Sequence, residues 1–223
     1  MATITFPSEP VAQSMQWKLN QPTQVNMSAW TGRRQALSSG RGWWECMYQL
    51  PPVVTTTAFN PWRSFLALAR GGANEFQVPV DPTPQEPDVA VPTDGRTLSL
   101  DFIANEYISQ GGTSTFGAAY VNGAAQTGRS LITSGWPGPD TVLSAGEFVT
   151  INNQLLQLTA DVVSDVAGAA TITFEPPIRV SPANNDAIEF RNPYALMYLT
   201  ETPPYTVEPG YVYNLRLEFR ELI

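Results

Sequence analysis

Tyr211-Val212-Tyr213-Asn214-Leu215-Arg216-Leu217-Glu218-Phe219 is the stretch that decides the fold. Its odd positions, Tyr211, Tyr213, Leu215, Leu217 and Phe219, are aromatic or aliphatic, while Asn214, Arg216 and Glu218 stand between them. A period of two sends alternate side chains to opposite faces of a pleated strand, so this segment reads as a strand with one face in a core and one in water. Shorter runs of the same kind occur at Thr97–Ile103 (Leu98, Leu100 and Phe102 on one face), Trp43–Leu50, Phe148–Ile151, Leu155–Val163 and Ala170–Phe174. Clusters of Pro and Gly separate them, as in an all-β chain. The expected fold class is mainly β: a sandwich or barrel core with one short helix and an inserted or second small β unit.

The helix is expected near 60–70. Asn60 suits an N-cap, Pro61 suits the first helical position where its missing N–H costs nothing, and Gly71 suits the stop. Trp62, Phe65, Leu66 and Ala69 then form one apolar stripe that would close the open side of a barrel or sandwich.

Composition changes after this helix. Val78 to Pro92 holds Pro79, Asp81, Pro82, Pro84, Glu86, Pro87, Asp88 and Pro92 and no aromatic residue, which predicts an extended, solvated connector over 79–93. Gly111 to Gly128 reads as loop or weak strands, and turns are expected at Ala183–Asp186 and in the Pro-bearing stretch Thr202–Gly210. Residues 1–78 and 187–223 are therefore expected to share one core, with 94–186 as an inserted β unit. A last strand so well patterned is expected to pair near the start of the chain.

The 223 residues include 43% hydrophobic and 14% charged side chains, enough apolar material for a real core. Histidine is absent, which removes Ser-His-Asp and Cys-His nucleophile pairs and His-ligated zinc. One cysteine, Cys46, leaves no intrachain disulfide and no multi-Cys metal site. The formal net charge is −8, and the cations are eleven Arg and Lys18. They are scattered, whereas nucleic-acid binding needs clustered positive charge, so no nucleic-acid partner is expected. Arg33, Arg34 and Arg41 are the nearest approach to a basic patch and read as a loop with ion pairs or a partner contact. An Arg-rich surface suits protein–protein contact, although genomic base composition produces the same bias. No apolar run approaches the ~20 residues that cross a bilayer, and Met-Ala-Thr-Ile-Thr-Phe-Pro lacks the pattern of a signal peptide. No membrane insertion is expected, and synthesis is expected in the cytoplasm of the producing cell.

Carboxylates remain as candidate acids and bases. Asp161 with Asp165, or Asp101 with Glu106, are pairs of the kind glycosidases use, but nothing local places either pair across a cleft. Asp161–Gly168 also lacks the alternating ligands of a calcium loop, so a turn at Asp165–Gly168 is the better reading. Ser130 and Ser134 have no base partner, and Gly-Arg-Ser-Leu-Ile at 128–132 is not a nucleophile elbow. Gly71-Gly72 follows a helix instead of preceding one, the wrong side for an anion. Of the tryptophans, Trp17, Trp44 and Trp62 are expected in the core and Trp136 in a tight turn capping the middle unit. An aromatic surface for sugars, or anchors for an interface, remain open readings of the exposed ones. No catalytic residue, metal ligand or cofactor is expected.

Several signatures together resemble minor tail proteins of long-tailed bacteriophages, of the distal tail or tail-hub type. Trp-Trp-Glu-Cys-Met-Tyr-Gln-Leu-Pro-Pro at 43–52 leads to Asn-Pro-Trp-Arg-Ser-Phe-Leu-Ala-Leu-Ala-Arg-Gly-Gly at 60–72. Gln-Thr-Gly-Arg-Ser-Leu at 126–131, Gly-Trp-Pro at 135–137, Ser-Ala-Gly-Glu-Phe-Val at 144–149, Leu-Thr-Ala-Asp-Val at 158–162 and Gly-Ala-Ala-Thr-Ile-Thr-Phe-Glu-Pro-Pro-Ile-Arg at 168–179 follow in order. Glu147-Phe148 stands where such proteins carry a Gly-Asp-Tyr type of strand start. The resemblance covers about half the chain. It implies a structural subunit in the virion tail, self-associating in a ring of sixfold or related symmetry. Its implied partners are the tail-tube protein and the tail tip or fibre proteins, and it implies no active site. A capsid decoration or neck protein, or a carbohydrate-binding tail module, is the alternative.

Overall fold

The computed structural model describes residues 2–38, 40–80, 106–109, 112–115, 119–208 and 212–222. Before the long connector the chain forms β1 (Thr3–Ile4), β2 (Ser14–Asn20), β3 (Thr23–Met27), β4 (Arg34–Ser38), β5 (Trp43–Gln49), α1 (Thr56–Ala69) and β6 (Glu75–Pro79). Then come β7 (Glu106–Ser109), β8 (Gly112–Thr115), β9 (Ala119–Val121), β10 (Gly128–Ser134), β11 (Thr141–Leu143) and β12 (Phe148–Ile151). They are followed by β13 (Gln154–Leu158), β14 (Val162–Val163), β15 (Ala170–Ile178) and β16 (Ala187–Glu189). The chain closes with β17 (Tyr194–Leu199), β18 (Thr206–Glu208), β19 (Val212–Asn214) and β20 (Arg216–Glu221). The fold is mainly β, with 48% strand and 10% helix, and includes a closed six-stranded barrel. Of the expected strands, Thr97–Ile103 lies outside the described residues, as does most of the 79–93 connector.

Contacts divide the chain into two compact units. One comprises Met1–Pro84, Asn153–Leu155 and Asn192–Ile223, and the other Gln85–Asn152 and Leu156–Arg191. The sequence reading drew the second boundary at 186. Strand β16 belongs with the barrel because its backbone pairs with β12 and β9.

The first unit is a six-stranded sheet in the order β1-β6-β17-β20-β5-β2, antiparallel except for the β1–β6 edge. The C-terminal strand lies in its interior, between β17 and β5. The stretch Tyr211–Phe219 divides at Leu215: β19 pairs with β18, and β20 pairs into the large sheet. Its buried face nevertheless continues through Tyr213, Leu215, Leu217 and Phe219, all at most 3% exposed. The alternation then runs one step further, to Glu221, whose carboxylate is buried and accepts the backbone N–H of Trp44 at 2.9 Å. It also accepts the N–H of Leu155 at 3.4 Å, and the Trp44 indole donates to the Leu155 carbonyl at 3.0 Å. At the other end of the chain order, Val78 is buried and Pro79 pairs with Tyr194, so both belong to a strand and not to the connector.

Helix α1 begins a turn earlier than the spacing of Asn60 and Pro61 predicts. Thr55 is the N-cap, its hydroxyl accepting the N–H of Ala58 at 3.3 Å, and Pro61 sits inside the helix. An interior proline costs about 3 kcal/mol. Against it stand a cap worth about 1 kcal/mol and burial of Phe59, worth about 1.5–3 kcal/mol. Phe59 also stacks on Tyr213 at 4.5 Å between centroids, which adds about 0.5–1.5 kcal/mol. The stop comes at Arg70, left-handed at φ 48°, followed by Gly71. Gly72 (φ +92°) is required by packing: a Cβ there would stand 2.3 Å from the Leu199 carbonyl oxygen. The buried face of α1, with Trp62 and Phe65, meets rings of Tyr48, Phe76 and Phe219 around the half-buried Phe6.

The second unit is the barrel, in the order β10-β15-β13-β12-β16-β9. The β12–β13 connection turns at Asn152 (φ 49°) and Asn153 (φ 63°), the doubly left-handed turn that matches strand twist. Leu155–Val163, expected as one strand, is split, and β14 pairs with β11 instead of continuing β13. Strand β15 outruns its expected end at Phe174 and passes through Pro176 and Pro177. The β10–β15 register shifts between Gly128 and Ser130 opposite them, where prolines cannot donate to the ladder. The interior is filled by Val121, Leu131, Val149, Ile151, Leu156, Leu158, Ile172 and Phe174, with Trp136 and Phe190 beside them.

Candidate functional site

Of the residues that sequence reading weighed for chemistry, Asp161 and Asp165 hold local structure. Asp161 accepts the N–H of Ala145 at 2.8 Å. Asp165 accepts the N–H groups of Ala167 and Ala169 at 2.8 and 2.9 Å, and its own N–H reaches the Ala169 carbonyl, which forms the turn expected there. Asp101 lies outside the described residues, and Glu106 is described only as backbone in β7. Ser130 is exposed on β10, and Ser134 ends that strand half-buried. Among the described residues no three Asp, Glu or Cys side chains gather into a metal-holding group, and no helix is long and apolar enough to cross a membrane.

Cys46 is buried on β5, and burial pushes its thiol up to about 12. A thiol held protonated that far above neutrality is a packing group and a poor nucleophile. Burial also raises the Tyr48 phenol.

The tryptophans sort by environment. Trp44 and Trp62 are core, as expected, while Trp17 is only half-buried, its indole donating to the Val80 carbonyl at 3.1 Å. Trp136 is packed inside the barrel unit, donating to the Thr133 hydroxyl at 2.7 Å with its ring 5.3 Å from Phe190. Trp30 is 97% exposed.

Trp30 stands at the tip of an arm. Strands β3 and β4 pair from Thr23↔Ser38 to Met27↔Arg34, continuing the β2–β5 ribbon beyond the sheet as a two-stranded hairpin. The tip is closed by Gly32 donating to the Ser28 carbonyl and Ser28 to that of Arg33, each at 2.9 Å. Every residue from Gln21 to Leu37 is exposed, including Val25, Met27 and Leu37. Neither Arg33 nor Arg34 makes an ion pair among the described residues. The base of the arm is clamped at Trp43, whose ring lies 4.4 Å under the Arg220 guanidinium and whose indole donates to Glu45 at 3.0 Å. That hydrogen bond, with Asn20, Lys18 and Arg220 nearby, holds the Glu45 carboxyl below its usual range against the opposing effect of burial.

At the other end of the same sheet lies a cleft of about 220 Å³ lined by Glu201, Pro203, Pro204, Arg216 and Glu218. The register fixes the polarity. The arm leaves β5 at Trp43, paired with Asn20, whereas Arg216 of the cleft pairs with Gln49 at the far end of β5. Arg216 and Glu218 form an exposed pair at 3.4 Å. A larger depression of about 510 Å³ lies over the N-terminal segment, with Ile4, Phe6, Met15 and Tyr48 in its lining.

The hairpin was missed as an element by sequence reading. It has no buried face, and its apolar alternation is limited to Val25 and Met27 in β3; its other signals are Gly32 at the tip and the absence of any acidic residue from Gln21 to Gly42. No protein-family model matches this chain, and no curated protein matches it.

Proposed function

We propose that this chain is a structural virion protein of a long-tailed bacteriophage. It is a distal tail or hub subunit that self-associates in a ring and joins the tail tube to the tip or baseplate. The observation that carries the reading is the exposed arm with Trp30 at its tip. It presents large apolar side chains to solvent together with Arg33 and Arg34, which make no ion pair among the described residues, the composition of an interface anchor. The ordered resemblance of the 43–72 and 126–179 segments supports it. In this reading Asp161 and Asp165 serve local backbone structure, and no residue is assigned to catalysis, a metal or a cofactor.

The test is electron cryomicroscopy of whole particles with this chain tagged or antibody-labelled. Label in a ring at the distal end of the tail is the expected result. Label on the capsid or neck would replace it with the decoration or neck reading, and absence from the particle would overturn it.

A further inference from the structure

The arm and the cleft are opposite in charge and lie at opposite ends of one sheet. Residues 21–42 carry Arg33, Arg34 and Arg41 and no acid, while the rest of the chain holds nine cations against twenty acidic residues, a net charge of −11. A two-stranded hairpin without a packed face is marginal in water, and among the described residues no strand pairs with either edge of this one, a surface that invites pairing with another chain. The cleft offers what the tip lacks: two carboxylates, Glu201 and Glu218, against one cation, Arg216, which pairs with Glu218 at 3.4 Å, beside the flat, rigid faces of Pro203 and Pro204.

We infer that the arm of one copy seats in the Glu201–Glu218 cleft of a second copy, with Trp30 against the prolines and Arg33 and Arg34 facing the carboxylates. The inference deepens the ring reading above by naming the contact. Arm and cleft on one chain cannot meet, because the length of β5 separates them. The contact is therefore head to tail, and such a contact closes into a ring if the rotation allows and otherwise runs on as a filament.

The test uses the full purified chain, its mass measured in solution over a range of concentration and salt. The wild type is expected to assemble, and to dissociate as salt screens the charges. Trp30→Ala is expected to weaken association about 10- to 100-fold, the loss typical of a central aromatic anchor. Arg33→Glu with Arg34→Glu, and separately Glu201→Arg with Glu218→Arg, should each leave monomer, while all four substitutions in one chain should restore assembly. As a second measurement, Thr31→Cys with Thr202→Cys, at an exposed position flanking the cleft, should give disulfide-linked multimers on oxidation, since Cys46 is buried. A wild type that stays monomeric, charge reversals without effect, or a folded Cys variant that yields only monomer would overturn the inference. The two readings fail separately. Assembly that depends on the arm in a protein absent from the tail sinks only the location, and tail labelling with assembly indifferent to the arm sinks only the contact.

Discussion

The two units solve the same problem, a β surface that must be buried, with different side chains. The sheet unit fills its core with rings: Tyr48, Phe59, Trp62, Phe65, Phe76, Tyr213 and Phe219, packed in edge-to-face, tilted and stacked pairs. The barrel fills its interior with Val, Leu, Ile and Ala, and few aromatic residues join them. A helix lying on an open sheet stands about 10 Å away, and large flat side chains span that gap. A six-stranded closed barrel has a narrow interior, filled here mostly by aliphatic side chains around the one ring of Phe174. Core composition thus follows architecture, and the chain-wide aromatic content is an average of two unlike halves.

The comparison can be broken most directly at Phe219. Phe219→Ala should cost the sheet unit about 3–5 kcal/mol, read by urea unfolding. Phe219 pairs across to Cys46, so thiol labelling of Cys46 should start at a lower urea concentration in the variant than in the wild type. A loss below 1 kcal/mol would mean that the ring cluster is slack. In the barrel the sensitive change is the opposite one. Ile172→Phe should cost about 1–3 kcal/mol by overfilling, and a neutral outcome would show that the interior is wider than its aliphatic lining implies.

Glu221 is a buried carboxylate in the sheet unit. Glu221→Ala leaves the buried N–H groups of Trp44 and Leu155 without this acceptor, a loss of about 1–3 kcal/mol in the same urea titration. The carboxylate at the arm base should matter less. Glu45 has a lowered pKa in the folded state, so its contribution is present above its ordinary value of 4.5 and is lost as pH falls through the folded value. Because the group is largely solvated, Glu45→Gln should lower stability at pH 7 by less than ~1 kcal/mol and flatten the acid limb of the stability–pH curve. Smallest of all, Trp30→Ala should change the thermal midpoint of the monomer hardly at all, within about 0.5 kcal/mol. A larger loss would mean that the arm packs on its own chain.

Periodicity made part of this legible. β5 and the buried face leading into β20 could be read because buried positions alternate with more exposed ones, whereas β12 is buried on both faces and was read from its short apolar run. The helix was legible as a stripe, but Pro61 misled its start, since a proline at the first helical position and one tolerated inside look alike until Phe59 is seen stacked on Tyr213. The split at Leu215 left no sequence mark, because the side-chain alternation continues across it while the backbone changes partners. The arm was missed for the opposite reason: with two wet faces its only alternation, Val25 and Met27 in β3, is too short to mark a strand.

The sequence alone therefore determined the β class, the apolar helix stripe, the Asp165–Gly168 turn and the absence of histidine chemistry, all properties of residue type and local spacing. The tertiary structure alone decided which strands pair and that six of them close into a barrel. It also decided that Glu221 joins the buried face, and that a basic arm and an acidic cleft stand at opposite ends of one sheet. Those depend on register between segments far apart in the chain, and a shift of one residue would turn each face over.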